Sequence, residues 1–237
     1  MGRKPEIIAF ESRQQMAERV ADLVEVNICA ALHEKGTASL GASGGSTPAD
    51  LYKTLSTRDI EWDRVAVPLV DERWVAPDLP GSNEAFIKET LRQNTAHNAN
   101  IIGLWSDVET PAKGLDTACQ RYGNAGEMLD VVVLGMGNDG HTASWFPHAD
   151  GLADALSAET APFAAISAKK SEVTGAYVDR LTMTLSLISR AKIICLLIAG
   201  DKKRQTLMRA LEDGPVEEMP VRAILRSRPD LWICWAP

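Results

Sequence analysis

The chain has 237 residues, with 32 acidic and 25 basic side chains and a formal charge of −7. It therefore has no global electrostatic reason to bind DNA, RNA or an anionic membrane, and an anionic ligand must be caught by a local cluster of positive groups. Apolar residues at 45% and charged residues at 24% exclude a disordered chain and allow a sizeable core, in one domain or two.

The first five residues read as a loose end, and the opening Met1–Gln15 lacks the apolar stretch of a signal peptide. Ile7–Phe10 is the first short apolar run and reads as a buried strand. A helix follows over Met16–Leu32, with apolar residues at Met16, Val20, Leu23, Val24 and Ala31 near the 3.6 period. Ala38–Ala42 is a second strand. Behind it lies a helix over Pro48–Leu55, announced by Ser46 and Thr47 as capping residues ahead of Pro48. Val65–Val70, Leu129–Leu134 and Lys192–Ala199 read as further strands, and Lys202–Leu211 as a helix stopped by Gly214-Pro215. Asp107–Gly114 is the candidate divider of a small lobe. No apolar run approaches the ~20 residues needed to cross a bilayer, so the cytoplasm is expected. Cys29, Cys119, Cys195 and Cys234 form no CxxC pair; Cys195 and Cys234 sit in apolar runs and read as small core residues.

Strands apolar nearly throughout, alternating with helices, indicate an α/β fold with a mostly parallel sheet covered on both faces. Ligands of such sheets bind at the carboxyl ends of the strands, so the loops there carry the information. Gly41–Pro48 joins a strand to a helix N-terminus, where free N–H groups and the hydroxyls of Ser46 and Thr47 suit a phosphate; a plain capped turn is the simpler alternative. Asp71, Glu72 and Arg73 close another strand. Arg73 suits an anion and Asp71 a base, against a solvated ion pair. Leu134–Ser144 holds three glycines around Asn138 and Asp139 and delivers His141, the side chain best suited to carry protons near neutral pH. His33, His97 and His148 lack that setting and read as structural or exposed. Arg180, and Lys203 in the first turn of a helix where a cation is mildly unfavourable without an anionic partner, complete the candidates. There is no HExxH, no Cys/His cluster and no GxSxG elbow, so neither metal nor cofactor is expected and direct attack by water is preferred.

Taken in order, these segments resemble the 6-phosphogluconolactonase family. The matches are SGGSTP at Ser43–Pro48, DER at Asp71–Arg73 with Ser82-Asn83, and GNDGHTAS at Gly137–Ser144 with Phe146-Pro147. R-x-T-x-T at Arg180–Thr184 and G-x-x-K at Gly200–Lys203 complete them. The resemblance implies one Rossmann-like, three-layer α/β/α domain over residues 1–237, shared in fold with glucosamine-6-phosphate deaminase and ribose-5-phosphate isomerase. It also implies hydrolysis of 6-phospho-D-glucono-1,5-lactone to 6-phosphogluconate. Similar deaminases carry an acidic residue where this chain has Phe146, and an aromatic one at Arg73; both differences favour the lactonase. Trp145, where leucine is usual, His148, where glycine is common, and Pro68 inside a strand depart from the pattern.

The expected mechanism follows. Ser46, Thr47 and the N–H groups of Gly44 and Gly45 hold the phosphate, closed on by Arg180 and Lys203. His141 takes a proton from the attacking water and returns it to the ring oxygen. N–H groups of the Gly137–Gly140 loop, with Arg73, stabilise the oxyanion. Asp139 or Asp71 orients His141, and the sequence leaves that choice open. A deaminase or isomerase using Asp71 as a carbon base is the competing enzyme, and a non-catalytic sugar-phosphate sensor the competing binding protein. The expected partner is the phosphorylated sugar lactone alone, without nucleic acid or membrane, bound by a monomer or weak homo-oligomer.

Overall fold

The computed structural model describes residues 5–123, 128–157 and 161–237; of the loose N-terminal end expected above, residues 1–4 lie outside them. The chain runs β1 (Ile7–Ala9), α1 (Arg13–Lys35), β2 (Ala38–Ala42), α2 (Ser46–Leu55), β3 (Val65–Pro68), β4 (Asp71–Arg73) and α3 (Asn83–Thr90). It continues with β5 (Asn100–Ile102), α4 (Pro111–Tyr122), β6 (Val131–Gly135), α5 (Leu152–Leu156), β7 (Phe163–Ser167) and β8 (Asp179–Met183). It closes with α6 (Leu185–Ser189), β9 (Ile193–Ala199), α7 (Asp201–Ala210), α8 (Val221–Ser227) and β10 (Trp232–Ala236).

Among the described residues, seven strands form a parallel sheet in the order β1-β10-β9-β6-β2-β3-β5. β2, β6 and β9 are buried almost end to end, as a sheet covered on both faces requires. From β2 the chain builds outward through β3 and β5, then returns to the other side of β2 as β6. The strand order reverses between β2 and β6, and loops at such a switch point splay apart into a crevice.

Local chemistry fixes the element ends. α1 starts earlier than periodicity suggested because the Ser12 side chain accepts from the Gln15 N–H, and it stops at Gly36, left-handed at φ 78. Its buried face, Met16, Val20, Val24, Ile28 and Ala31, repeats at three- and four-residue intervals against the sheet. Pro68 sits in an interior strand, yet the ladder tolerates it. The β2–β3 pairing lapses between Ser39↔Ala66 and Ala42↔Leu69, the stretch that holds Pro68, and resumes in the same register, so the missing N–H interrupts the ladder without shifting the strands.

Two expectations need correction. The strand expected over Val65–Val70, with Asp71–Arg73 at its carboxyl end, stops at Pro68, and Asp71–Arg73 is strand β4 of a second sheet ordered β4-β8-β7 and antiparallel. Nor does Asp107–Gly114 divide the sheets: the small one is assembled from β4, just after β3, and the β7–β8 hairpin between β6 and β9. Cys195 and Cys234 are buried and free, and Cys29 and Cys119 are free as well. No helix among the described residues is long and apolar enough to cross a membrane.

Candidate active site

β2 delivers the first wall. Gly45 is the N-cap of α2 at φ 115 and ψ 159, a backbone conformation that side-chain-bearing residues rarely adopt. This corrects the expectation that Ser46 caps the helix. Ser46 and Thr47 lie in its first turn, so neither hydroxyl is consumed in capping. Among the described residues the N–H groups of Gly44 and Gly45 donate to no acceptor. A helix dipole, free N–H groups and two hydroxyls therefore converge at one point.

β6 delivers the second. Thr142 Oγ1 donates to the Gly135 carbonyl at 2.7 Å and the Gly137 N–H to the His141 carbonyl at 2.9 Å, folding the loop back on its own strand. Any Cβ at Gly137 would clash with His141 Nδ1, so the imidazole takes the space that glycine leaves. His141 Nδ1 lies 2.6 Å from Asp139 Oδ1, which also accepts the His141 backbone N–H at 3.1 Å. Burial alone would raise the Asp139 carboxyl, but the hydrogen bond and charge of His141 outweigh it and hold it below the usual range. The other imidazole nitrogen makes no hydrogen bond among the described residues. Of the loop's amides, the Gly137 and Gly140 N–H groups are engaged within the loop, as is that of His141, whereas the Asn138 N–H donates to no acceptor among the described residues and Asn138 lines the cavity.

The small sheet delivers the third wall. Arg73 on β4 stands directly opposite Arg180 on β8 in the antiparallel register. Arg73 Nη1 donates to the Gly81 carbonyl, and its buried Nε has no partner among the described residues. Arg180 is buried; Nε and Nη2 donate to the carbonyls of Tyr177 (3.0 Å) and Thr174 (3.1 Å). Burial brings it down to about 10, so it remains a cation at neutral pH. Asp71 does not reach His141 by a hydrogen bond. Its Oδ2 accepts from Ser144 Oγ at 2.6 Å, and its Oδ1 and backbone carbonyl accept from Asn83 Nδ2. Glu72 points away into the protein and is fully buried. It accepts from Ser82 Oγ and from the N–H groups of Arg73, Asn83 and Glu84. Burial, only partly offset by those donors, pushes it up to about 7.

Lys203, the third residue of α7, completes the set. It is half-buried and makes no ion pair among the described residues; burial first, then the charge of Arg13, lowers it. Thr206 Oγ1 donates to the Asn138 carbonyl at 3.2 Å, tying α7 to the histidine loop.

These walls enclose one cavity of about 460 Å³. Of the residues expected from sequence, Gly44, Gly45, Ser46, Thr47, Asp71, Arg73, His141, Arg180 and Lys203 all line it, and Asp139 stands directly behind His141. Asn83, Lys202 and Glu172 also line it and were assigned no role. Asn83 lay inside a recognised motif; Lys202 and Glu172 are exposed polar residues, and nothing local marks such positions. His33, His97 and His148 are exposed. Among the described residues no group of three His, Cys, Asp or Glu side chains is placed to hold a metal ion.

The family model described as glucosamine-6-phosphate isomerases/6-phosphogluconolactonase matches residues 11–233. A 6-phosphogluconolactonase of Rhizobium meliloti is 42% identical over 229 residues, spanning 96% of this chain and 97% of that one. The crystal structure of a 6-phosphogluconolactonase from Shewanella baltica superposes with a TM-score of 0.92 at 36% identity, covering 99% and 98% of the two chains. A monomeric glucosamine-6-phosphate deaminase superposes at 0.78 with 19% identity, covering 98% and 97%, a likeness of fold alone.

Proposed function

Because the chain belongs to the glucosamine-6-phosphate isomerase/6-phosphogluconolactonase family, we infer that its cavity opens 6-phospho-D-glucono-1,5-lactone to 6-phosphogluconate, the lactone-hydrolysis step of the oxidative pentose phosphate pathway. The observation that carries this reading is the His141–Asp139 pair, 2.6 Å apart, lining one crevice with the N-terminus of α2, Arg180 and Lys203.

The phosphate sits on the Gly44 and Gly45 N–H groups and the Ser46 and Thr47 hydroxyls, with Lys203 and the remaining nitrogen of Arg180 closing on it. Charge-assisted bonds of this type contribute about 1.5–3 kcal/mol each. Asp139 holds Nδ1 of His141, leaving Nε2 to take a proton from water as its oxygen attacks the lactone carbonyl. When the tetrahedral intermediate collapses, the C1–ring oxygen bond breaks and the imidazolium returns that proton to the departing oxygen. General acid–base assistance of this kind contributes ~10²–10⁴-fold. With the Gly137 and Gly140 amides engaged, the Asn138 N–H and Arg73 are the donors assigned to the oxyanion. Asp71 is assigned to fixing Asn83 and Ser144 in the wall, not to the histidine.

A phosphorylated lactone is the one partner this reading needs. The protein is proposed to work in the cytoplasm as a monomer or weak homo-oligomer, without cofactor or nucleic acid. The test is a coupled assay on freshly made lactone, corrected for spontaneous hydrolysis. Enzyme-dependent opening is expected, and no acceleration over buffer contradicts the reading. Incubation with glucosamine 6-phosphate is expected to release no ammonia, since the position that is acidic in similar deaminases is Phe146.

A further inference from the structure

Phe146 has no polar atom to offer the reaction, yet its ring is where two groups of the site meet. The His141 imidazole packs on it with centroids 4.3 Å apart and planes tilted by 31°. The Arg180 guanidinium carbon lies 4.8 Å from the same centroid. The ring is 3% exposed, and the segment around it is tightly constrained. Ala143 and His148, at φ 50 and φ 54, hold left-handed conformations that side-chain-bearing residues seldom adopt. Such strain persists only where the surroundings over-determine it. Here they do. Ser144 Oγ is bonded to Asp71 and Trp145 Nε1 to the Met183 carbonyl at 2.9 Å, so both residues before Phe146 are pinned to the small sheet.

The Nδ1–Asp139 bond fixes one atom of the imidazole but leaves the ring free to swing about that bond. A flat apolar face packed on the imidazole removes that freedom. Arg180 has the complementary need: two of its nitrogens are held by carbonyls, and the π face of Phe146 sets where the rest of the cation lies. We propose that Phe146 is a positioning residue for the hydrolysis, holding the proton-carrying imidazole and the anion-gripping guanidinium in one fixed relation. The inference rests on the assignment of His141 as the proton-handling group.

Phe146→Leu and the longer, unbranched Phe146→Met keep an apolar side chain and remove the ring. Each is to be checked for folding by circular dichroism, then assayed for kcat, KM and the pH profile of kcat/KM. The expected result is a kcat lower by about tenfold or more, a raised KM and a displaced pH profile, as for small misplacements of reacting groups. A purely structural role would lower stability and leave kcat per folded molecule and the pH profile unchanged; that outcome in either folded variant overturns the proposal. Proton NMR reads the contact independently of activity and in the wild type itself. The His141 Cε1–H resonance is expected to be displaced by the ring current of Phe146, and no displacement overturns the proposal even if both variants misfold. If His141→Gln stays active, the underlying assignment fails. If that variant is inactive while Phe146→Leu matches wild type, only this inference fails.

Discussion

Arg73 and Arg180 occupy directly opposed positions on the antiparallel pair β4–β8, so two guanidinium groups leave neighbouring strands toward one cavity. Burial disfavours the Arg180 charge first and Arg73 repels it, while Asp71 and Glu72 offset part of that cost. A bound anion relieves the rest. Inorganic phosphate is therefore expected to raise the thermal unfolding temperature of the wild type, by about 1.4 kcal/mol of added stability at tenfold its dissociation constant. The gain should be much smaller in Arg180→Ala, a comparison that also removes general salt effects. Equal gains in the two proteins contradict the anion site.

Arg180 and Lys203 should differ in how they fail. Lys203→Met removes a cation with no ion pair among the described residues and should raise KM roughly 10- to 100-fold with little change in kcat. Arg180→Ala should raise KM similarly and also lower kcat, because its bonds to the Thr174 and Tyr177 carbonyls are lost as well. Steady-state kinetics on both variants checks this, and an unchanged KM in both removes them from the phosphate site.

Asp139 carries a pH signature. Its carboxyl is depressed in the folded protein, so its charged form stabilises the fold above the ordinary carboxylate value of about 3.9, and that contribution is lost as pH falls through the lower folded value. Asp139→Asn should show a shallower loss of stability on acidification, followed by denaturant unfolding. Its kcat should fall by about 10²-fold, since the amide no longer holds the imidazole as the carboxylate does.

Glu72 belongs to the fold. Removing it in Glu72→Ala leaves the buried Asn83 N–H and Ser82 hydroxyl, and the part-buried Arg73 N–H, without an acceptor. A destabilisation of about 3 kcal/mol or more is expected from equilibrium denaturation. Its raised carboxyl has the opposite sign to Asp139: stability is full below about 4.5 and is lost as pH rises through about 7. A wild-type stability profile with no such decline contradicts the assignment.

The central strands were legible in sequence because β2, β6 and β9 are buried on both faces and apolar nearly throughout. The small sheet was not. β4 is three residues of charge, and β8 alternates Arg180 and Thr182 with apolar partners, so both depend on each other's register more than on intrinsic preference. β5, three residues long, carries too little pattern to read. His141, Ser46 and Thr47 were readable because glycine-rich turns after strands imply a crevice, and Lys203 because a cation in a helix's first turn asks for an anionic partner. The choice between Asp139 and Asp71 was not, because it depends on Ser144 and Asn83 engaging Asp71 from distant parts of the chain. His148 shows the reverse: a position where similar chains favour glycine proves to be left-handed, at φ 54.

The most direct measurement is the rate of lactone opening by His141→Gln, with freshly prepared substrate and the spontaneous rate subtracted. A folded variant that has lost ~10²–10⁴-fold in kcat agrees with an imidazole that carries the proton. Turnover within a few-fold of wild type would mean that the proton moves elsewhere, and that the pairing with Asp139 serves only to hold the loop.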